Sequence, residues 1–141
     1  MEKMNPYLMF DGNCEAAINF YKDIFDGEIG YFGRFSESPN EVTDSDKNKI
    51  MHVEFKFWGG SILASDHVES AGYTTKSEGS NIHLSLGFNS EGKMEETFNK
   101  LKQGGDVTMN IKEQFWGSKF GMLTDKFGIR WMFSCQQSSK S

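Results

Sequence analysis

The chain has 141 residues, a net charge of −5 at neutral pH, 37% hydrophobic residues and 14% aromatic residues. That length suits one ordinary domain, and such a domain buries roughly 70% of its unfolded surface without staples. An acidic chain with no basic stripe argues against nucleic-acid binding, and no apolar run approaches the roughly 20 residues that span a bilayer. The opening Met1-Glu2-Lys3-Met4-Asn5-Pro6 carries no signal-peptide apolar segment, so the expected address is cytoplasmic. Cys14 and Cys135 stand in no CxxC pattern and read as two free thiols.

Tyr7–Phe10 is short and apolar and reads as a strand. Asp11-Gly12-Asn13 makes a turn, with Asn13 or Asp11 placed to cap a helix over about Cys14 to Phe25. Ala17, Ile18, Tyr21, Ile24 and Phe25 recur at the three- and four-residue spacing of one buried helix face. Gly27 stops the helix, and Glu28–Phe35 reads as a strand. Residues 36–49 are polar, without period, and read as a mobile loop.

Ile50–Phe57 alternates clearly, with Met51, Val53, Phe55 and Phe57 against His52, Glu54, Lys56 and Trp58. Gly59-Gly60 reads as a hairpin turn into a strand over Ser61–Asp66. Residues 67–80 form a second polar linker, in which His67 reads as a solvated loop histidine. Asn81–Phe88 alternates again, Glu91–Gln103 has helical spacing, and Gly104-Gly105 ends it. Three further strands are expected over Asp106–Ile111, about Lys119–Thr124 and Ile129–Cys135, with a disordered tail at Gln136–Ser141. Asp125 is placed to organise the turn before Gly128.

Sliding the chain by 78 positions superposes Leu8 on Leu86, Phe10 on Phe88, Phe20 on Phe98, Lys22 on Lys100 and Gly27 on Gly105. The order of elements repeats with them. The expectation is an α+β chain forming one domain over 1–141, from two βαβββ modules at about 5–66 and about 81–135. The modules would form a curved, partly closed eight-stranded mixed sheet with the helices outside. Met51, Val53, Phe55, Ile82, Leu84 and Leu86 would then be core, while His52, Glu54, His83 and Ser85 face a central cavity suited to a small ligand. Trp116, in a loop-like stretch, joins them as a lining candidate, and Trp58 and Trp131 divide between pocket floor and core. Cys14 near a helix start could carry an activated thiol, although no His adjoins it in sequence.

Two segments carry a family resemblance. Residues 6–29, PYLMFDGNCEAAINFYKDIFDGEI, and 104–135, with Trp116-Gly117, Phe120-Gly121, Asp125, Phe127-Gly128 and Trp131, resemble the opening and closing of PhnB-like proteins. The stretch HVEFKFWGGSILASD at 52–66 fits between them. The resemblance implies the paired βαβββ fold of the glyoxalase, bleomycin-resistance and extradiol-dioxygenase (vicinal-oxygen-chelate) superfamily, and a homodimer. The common family label, 3-demethylubiquinone methyltransferase, implies a glycine-rich strand-to-helix turn, and no G-x-G-x-x-G follows a strand here.

Superfamily enzymes hold a divalent ion with His, Glu or Gln from the first and last strands of each module. Here His83 matches Asn5 under the repeat, the strand to Asp66 offers only that residue, and the strand over Ile129–Ser134 offers none. A facial His52, Glu54 and His83 set is the alternative for a divalent transition metal. Two functions follow: a metal-free binding or resistance-type protein, or a metal-dependent isomerase, lyase or dioxygenase acting on vicinal oxygens.

Overall fold

The pattern of one strand, one helix and three strands is realised twice. The computed structural model describes residues 3–37, 42–68, 81–114 and 117–136. Contacts divide the chain into Met1–Glu78 and Gly79–Ser141, here unit one and unit two. Unit one holds β1 (Tyr7–Phe10), α1 (Cys14–Phe25), β2 (Glu28–Arg34), β3 (Ile50–Phe57) and β4 (Gly60–Asp66). Unit two holds β5 (Leu84–Phe88), α2 (Glu91–Leu101), β6 (Asp106–Glu113), β7 (Ser118–Thr124) and β8 (Arg130–Gln136). Each builds a four-stranded mixed sheet of the same topology, β1-β4-β3-β2 and β5-β8-β7-β6. In each, the first strand runs parallel to the last and the other pairs are antiparallel.

In unit one, α1 packs on the face formed by β3 and β4. Ala17, Ile18, Tyr21 and Phe25 meet the level of Val53, Phe55, Ile62 and Ala64, all buried. In unit two, α2 buries Met94, Thr97, Phe98 and Leu101 over a sheet whose core is Leu86, Leu123, Trp131 and Phe133. Alternation then turns every second strand residue away from the helix.

Several expectations shift. Met51 is only half-buried, and Ile50 takes the core position instead. The cause is a register shift, since Gly33 pairs with His52 while Arg34 pairs with Ile50, leaving Met51 as the extra residue. Ile82 is 70% exposed rather than core, because the strand begins at Leu84 and not at Asn81. The β3–β4 loop is Trp58-Gly59, not Gly59-Gly60, with Phe57 paired to Gly60. A two-residue hairpin of this twist needs positive φ at both loop positions. Gly59 (φ 80°) adopts this freely, whereas Trp58 (φ 50°) is an unusual choice. Its ring lies edge-on to Phe25 at 5.2 Å and to Phe57 at 5.8 Å, contacts that offset the backbone cost.

Of the loop expected over 36–49, residues 38–41 lie outside the described residues, and 3-10 turns stand at Phe35–Glu37 and Asp44–Asp46. Arg34 grips both carboxylate oxygens of Glu15 at 2.9 and 2.8 Å and donates to the Asn48 carbonyl, joining α1, β2 and this loop. Gln136 ends β8, while 137–141 of the expected tail, 69–80 of the second linker, and Trp116 lie outside the described residues.

The start of α1 is capped from a distance. Asn13 makes no side-chain cap hydrogen bond. Cys14 N–H instead donates to Asp66 Oδ1 at 2.9 Å, and Ile50 N–H donates to Asp66 Oδ2 at 2.8 Å. Asp66 is 1% exposed, so its removal leaves two buried N–H groups without acceptors. Asp66→Ala is expected to lower the unfolding free energy by roughly 3 kcal/mol, and Asp66→Asn by less, since it keeps one acceptor. Urea unfolding checks this; an unchanged midpoint in Asp66→Ala would contradict the cap.

Candidate functional site

The face of unit one turned away from α1 follows from the register. Tyr7 pairs with Leu63 and Met9 with Ser65 across β1 and β4, while Glu54 pairs with Leu63 across β3 and β4. His52, two residues before Glu54 on β3, shares this face and pairs with Gly33. A second irregularity in β2 sets Gly30 and Tyr31 opposite Glu54 alone, between the pairs Ile29–Phe55 and Phe32–Val53. Tyr31 thereby reaches His52, with ring centroids 5.8 Å apart. Its ring also lies over Gly33, where a Cβ would come within 2.7 Å of Tyr31 Oη.

Three ring side chains therefore meet on this face. The Tyr7 and His52 centroids are 5.6 Å apart, and the Tyr7 hydroxyl and His52 Nδ1 are hydrogen-bonded at 3.0 Å. Tyr7, Met9 and Tyr31 remain 44%, 44% and 55% exposed. Glu54 is half-buried beside them, with Lys56 Nζ 3.8 Å from its Oε1.

The corresponding face of unit two is softer. Ser85, Met132, Met122 and Met109 stand in register across β5, β8, β7 and β6. Thioether side chains re-pack readily around irregular apolar shapes. Ser85 is exposed, and His83 lies just before β5, half-buried. The structure thus brings His52 and Glu54 together in unit one and places His83 and Ser85 in unit two. Sequence reading missed Tyr7, Met9 and Tyr31. A four-residue apolar strand hides which residues alternate outward, and the β2 bulge that turns Tyr31 has no sequence signal.

The fold's first and last strands do not fit a divalent metal. On the faces turned from the helices they present Tyr7, Met9, Ser61, Leu63, Ser65, Ser85, Gly87, Arg130, Met132, Ser134 and Gln136, so a single amide, Gln136, stands where ligands would be needed, with no imidazole or carboxylate. Asp66 is engaged through both oxygens by backbone N–H groups. Among the described residues no three His, Cys, Asp or Glu side chains group closely enough to hold a metal. His67 is not solvated as its loop position suggested; both ring nitrogens are buried and lack hydrogen-bond partners among the described residues.

Two other candidates become structural. Asp125 Oδ1 accepts from Phe127 N–H and Ile129 N–H, and its Oδ2 accepts from Trp131 Nε1 at 2.9 Å, so Asp125 organises the turn and Trp131 is core. Cys14 is fully buried, and burial, with Asp66 and Glu15 nearby, raises its thiol pKa far above the ordinary value. That is the reverse of an activated thiol.

The whole chain resembles proteins of known structure. Residues 2–134 match the family described as 3-demethylubiquinone-9 3-methyltransferase. Protein PA1353 from Pseudomonas aeruginosa is 34% identical with a TM-score of 0.86, over 96% of this chain and 98% of that one. A putative 3-demethylubiquinone-9 3-methyltransferase, PhnB protein, from Bacillus cereus is 27% identical with a TM-score of 0.77, over 95% and 99%. A glyoxylase/bleomycin resistance protein/dioxygenase domain from Frankia shares the fold at 16% identity and a TM-score of 0.67, over 99% and 96%.

Both cysteines are free and buried. The folded chain keeps the Cys14 proton at a pH where the unfolded thiol, with a pKa near 8.5, has lost it. Stability therefore falls as pH rises past that value, by up to about 1.4 kcal/mol per unit. Cys14→Ala should remove this component of the slope. Equal slopes for parent and variant in denaturant melts between pH 8 and 10 would contradict it.

Proposed function

The chain belongs to the protein family described as 3-demethylubiquinone-9 3-methyltransferase, and from that premise we propose a metal-free, binding or resistance-type protein of glyoxalase fold that holds a small molecule by ring contacts and shape. The observation that carries this is the joined Tyr7, His52 and Tyr31 rings on the face of unit one turned from α1. Rings at this spacing contribute through quadrupole contacts as well as buried area. In this reading His52 and Glu54 are the polar groups of the site on unit one, while His83, Ser85 and Trp116 remain lining candidates offered by the sequence. The metal-dependent isomerase, lyase or dioxygenase alternative lacks support in the donor types on β1, β4, β5 and β8.

Methyl transfer finds no support either. The strand-to-helix turns are Asp11-Gly12-Asn13 and Asn89-Ser90, without the glycine-rich loop that cradles a nucleotide-type cofactor. Self-association belongs to the same reading, because β1 and β2, and β5 and β6, are edge strands of their own sheets. A cytoplasmic address suits two free buried thiols.

Calorimetric titration of the full chain against a panel of uncharged aromatic compounds is expected to find ligands whose affinity Tyr31→Ala lowers roughly tenfold with an unchanged unfolding midpoint. S-adenosylmethionine should give no binding heat. Micromolar binding of that cofactor, or aromatic ligands indifferent to both Tyr31→Ala and Tyr7→Ala, would overturn the reading. Sedimentation should give twice the 16.0 kDa chain mass; a single-chain mass at micromolar concentration would remove the dimer.

A further inference from the structure

We infer that the ligand on this face of unit one is an uncharged planar ring bearing a hydroxyl or carbonyl oxygen, and that this oxygen bonds His52 Nε2. The inference rests on the binding reading above and adds the chemistry recognised.

The His52 imidazole is held on one side only. Tyr7 Oη lies 3.0 Å from Nδ1, while Nε2 has no hydrogen-bond partner among the described residues. With Nδ1 engaged by Tyr7, Nε2 is the ring nitrogen left for a ligand. Tyr7 and Tyr31 flank it at 5.6 and 5.8 Å, tilted 32° and 42° to its plane. Both tyrosines are substantially exposed and Met9 adds an exposed thioether nearby on the same face, so flat ring surface lies beside Nε2, with the Tyr31 hydroxyl and the Glu54 carboxylate on the same face. An aromatic ring with a single oxygen matches that arrangement: the ring meets the tyrosines and the oxygen meets Nε2.

The pairing also explains why either oxygen type is accepted. A phenol hydroxyl both donates and accepts. When Tyr7 donates to Nδ1, the proton sits on Nε2 and the histidine donates to a carbonyl. When Nδ1–H donates to Tyr7, Nε2 is a lone pair that accepts from a hydroxyl. Charge narrows the class further. Glu54 stands two residues along the same face and the chain carries a net −5, so an anionic ring is disfavoured. Lys56 already lies 3.8 Å from the Glu54 carboxylate, which weakens any claim of a cation on it.

The test uses 2-naphthol and naphthalene, the same ring with and without the oxygen, titrated into the full chain. The parent should bind 2-naphthol about threefold to tenfold more tightly, the worth of one net hydrogen bond. His52→Phe keeps a ring and loses both nitrogens, so the preference should vanish while naphthalene still binds. Tyr7→Phe keeps its ring and releases Nδ1, so the preference should shrink. Long-range ¹H–¹⁵N spectra give a readout that packing alone would not move: His52 Nε2 should shift with 2-naphthol and not with naphthalene. Equal affinities in the parent, a preference that survives His52→Phe, or a silent Nε2 would overturn the inference and leave aromatic binding standing. Failure of both compounds to bind would overturn it too, and the wider aromatic panel then judges the binding reading on its own.

Discussion

Unit one is organised by a carboxyl group that never reaches solvent. Asp66 ends β4, pairs with Phe10 of β1, and accepts hydrogen bonds from the first residue of α1 and the first residue of β3. Four elements are thus fixed at one point: the strand that enters the helix, the helix start, and the two central strands it covers. Because α1 is anchored there, its apolar stripe falls on Val53, Phe55, Ile62 and Ala64, and the opposite residues of the same strands must face outward. The ring cluster is a consequence of that polarity. Asp125 plays a local version of the role in unit two, closing the turn into β8 and tying it to the indole of Trp131.

Irregularity then supplies what regular alternation cannot. Two register shifts in β2 against β3 decide the face: one leaves Met51 unpaired and brings Ile50 into the core, the other swings Tyr31 toward His52. Gly33, with no side chain, leaves the space that the Tyr31 ring occupies. Bulges commonly re-aim side chains at sites of this kind. The faces of the two units differ in character, with rings and a carboxylate in one and thioethers and hydroxyls in the other.

Much of the fold was legible because hydrophobic period and turn residues agree along most of the chain. Helix α1, strands β1, β3 and β7, and the repeat were readable from spacing alone. The 78-residue offset aligns the first strands, the helices and β2 with β6, then fails, and the structure shows why. The connection between β2 and β3 is longer than that between β6 and β7, so β4 and β8 are offset by 70 positions. The cap was not legible, because its acceptor lies 52 residues from its donor and no local pattern announces it. Ile82 and Met51 failed for opposite reasons: one lies before its strand begins, the other sits at a bulge. Of the candidate site, His52 and Glu54 were readable from alternation on β3, whereas the tyrosines that give His52 its setting depended on pairings between strands.

The fold and its donor set point in different directions. Glyoxalase-type modules place outward-facing residues on their first and last strands, and here those positions carry tyrosine, thioether, leucine, serine, glycine, Arg130 and Gln136, without an imidazole or carboxylate. On the proposed reading, such a surface binds by rings and shape rather than by coordination. Elemental mass spectrometry on untagged full chain, stripped with chelator and reloaded with Ni, Zn, Mn or Fe, tests this most directly. The expected result is no more than a trace of tightly held metal at any loading. Retention of about one equivalent, lost on changing His52 or His83 to alanine, would contradict it and move the chemistry to a metal centre.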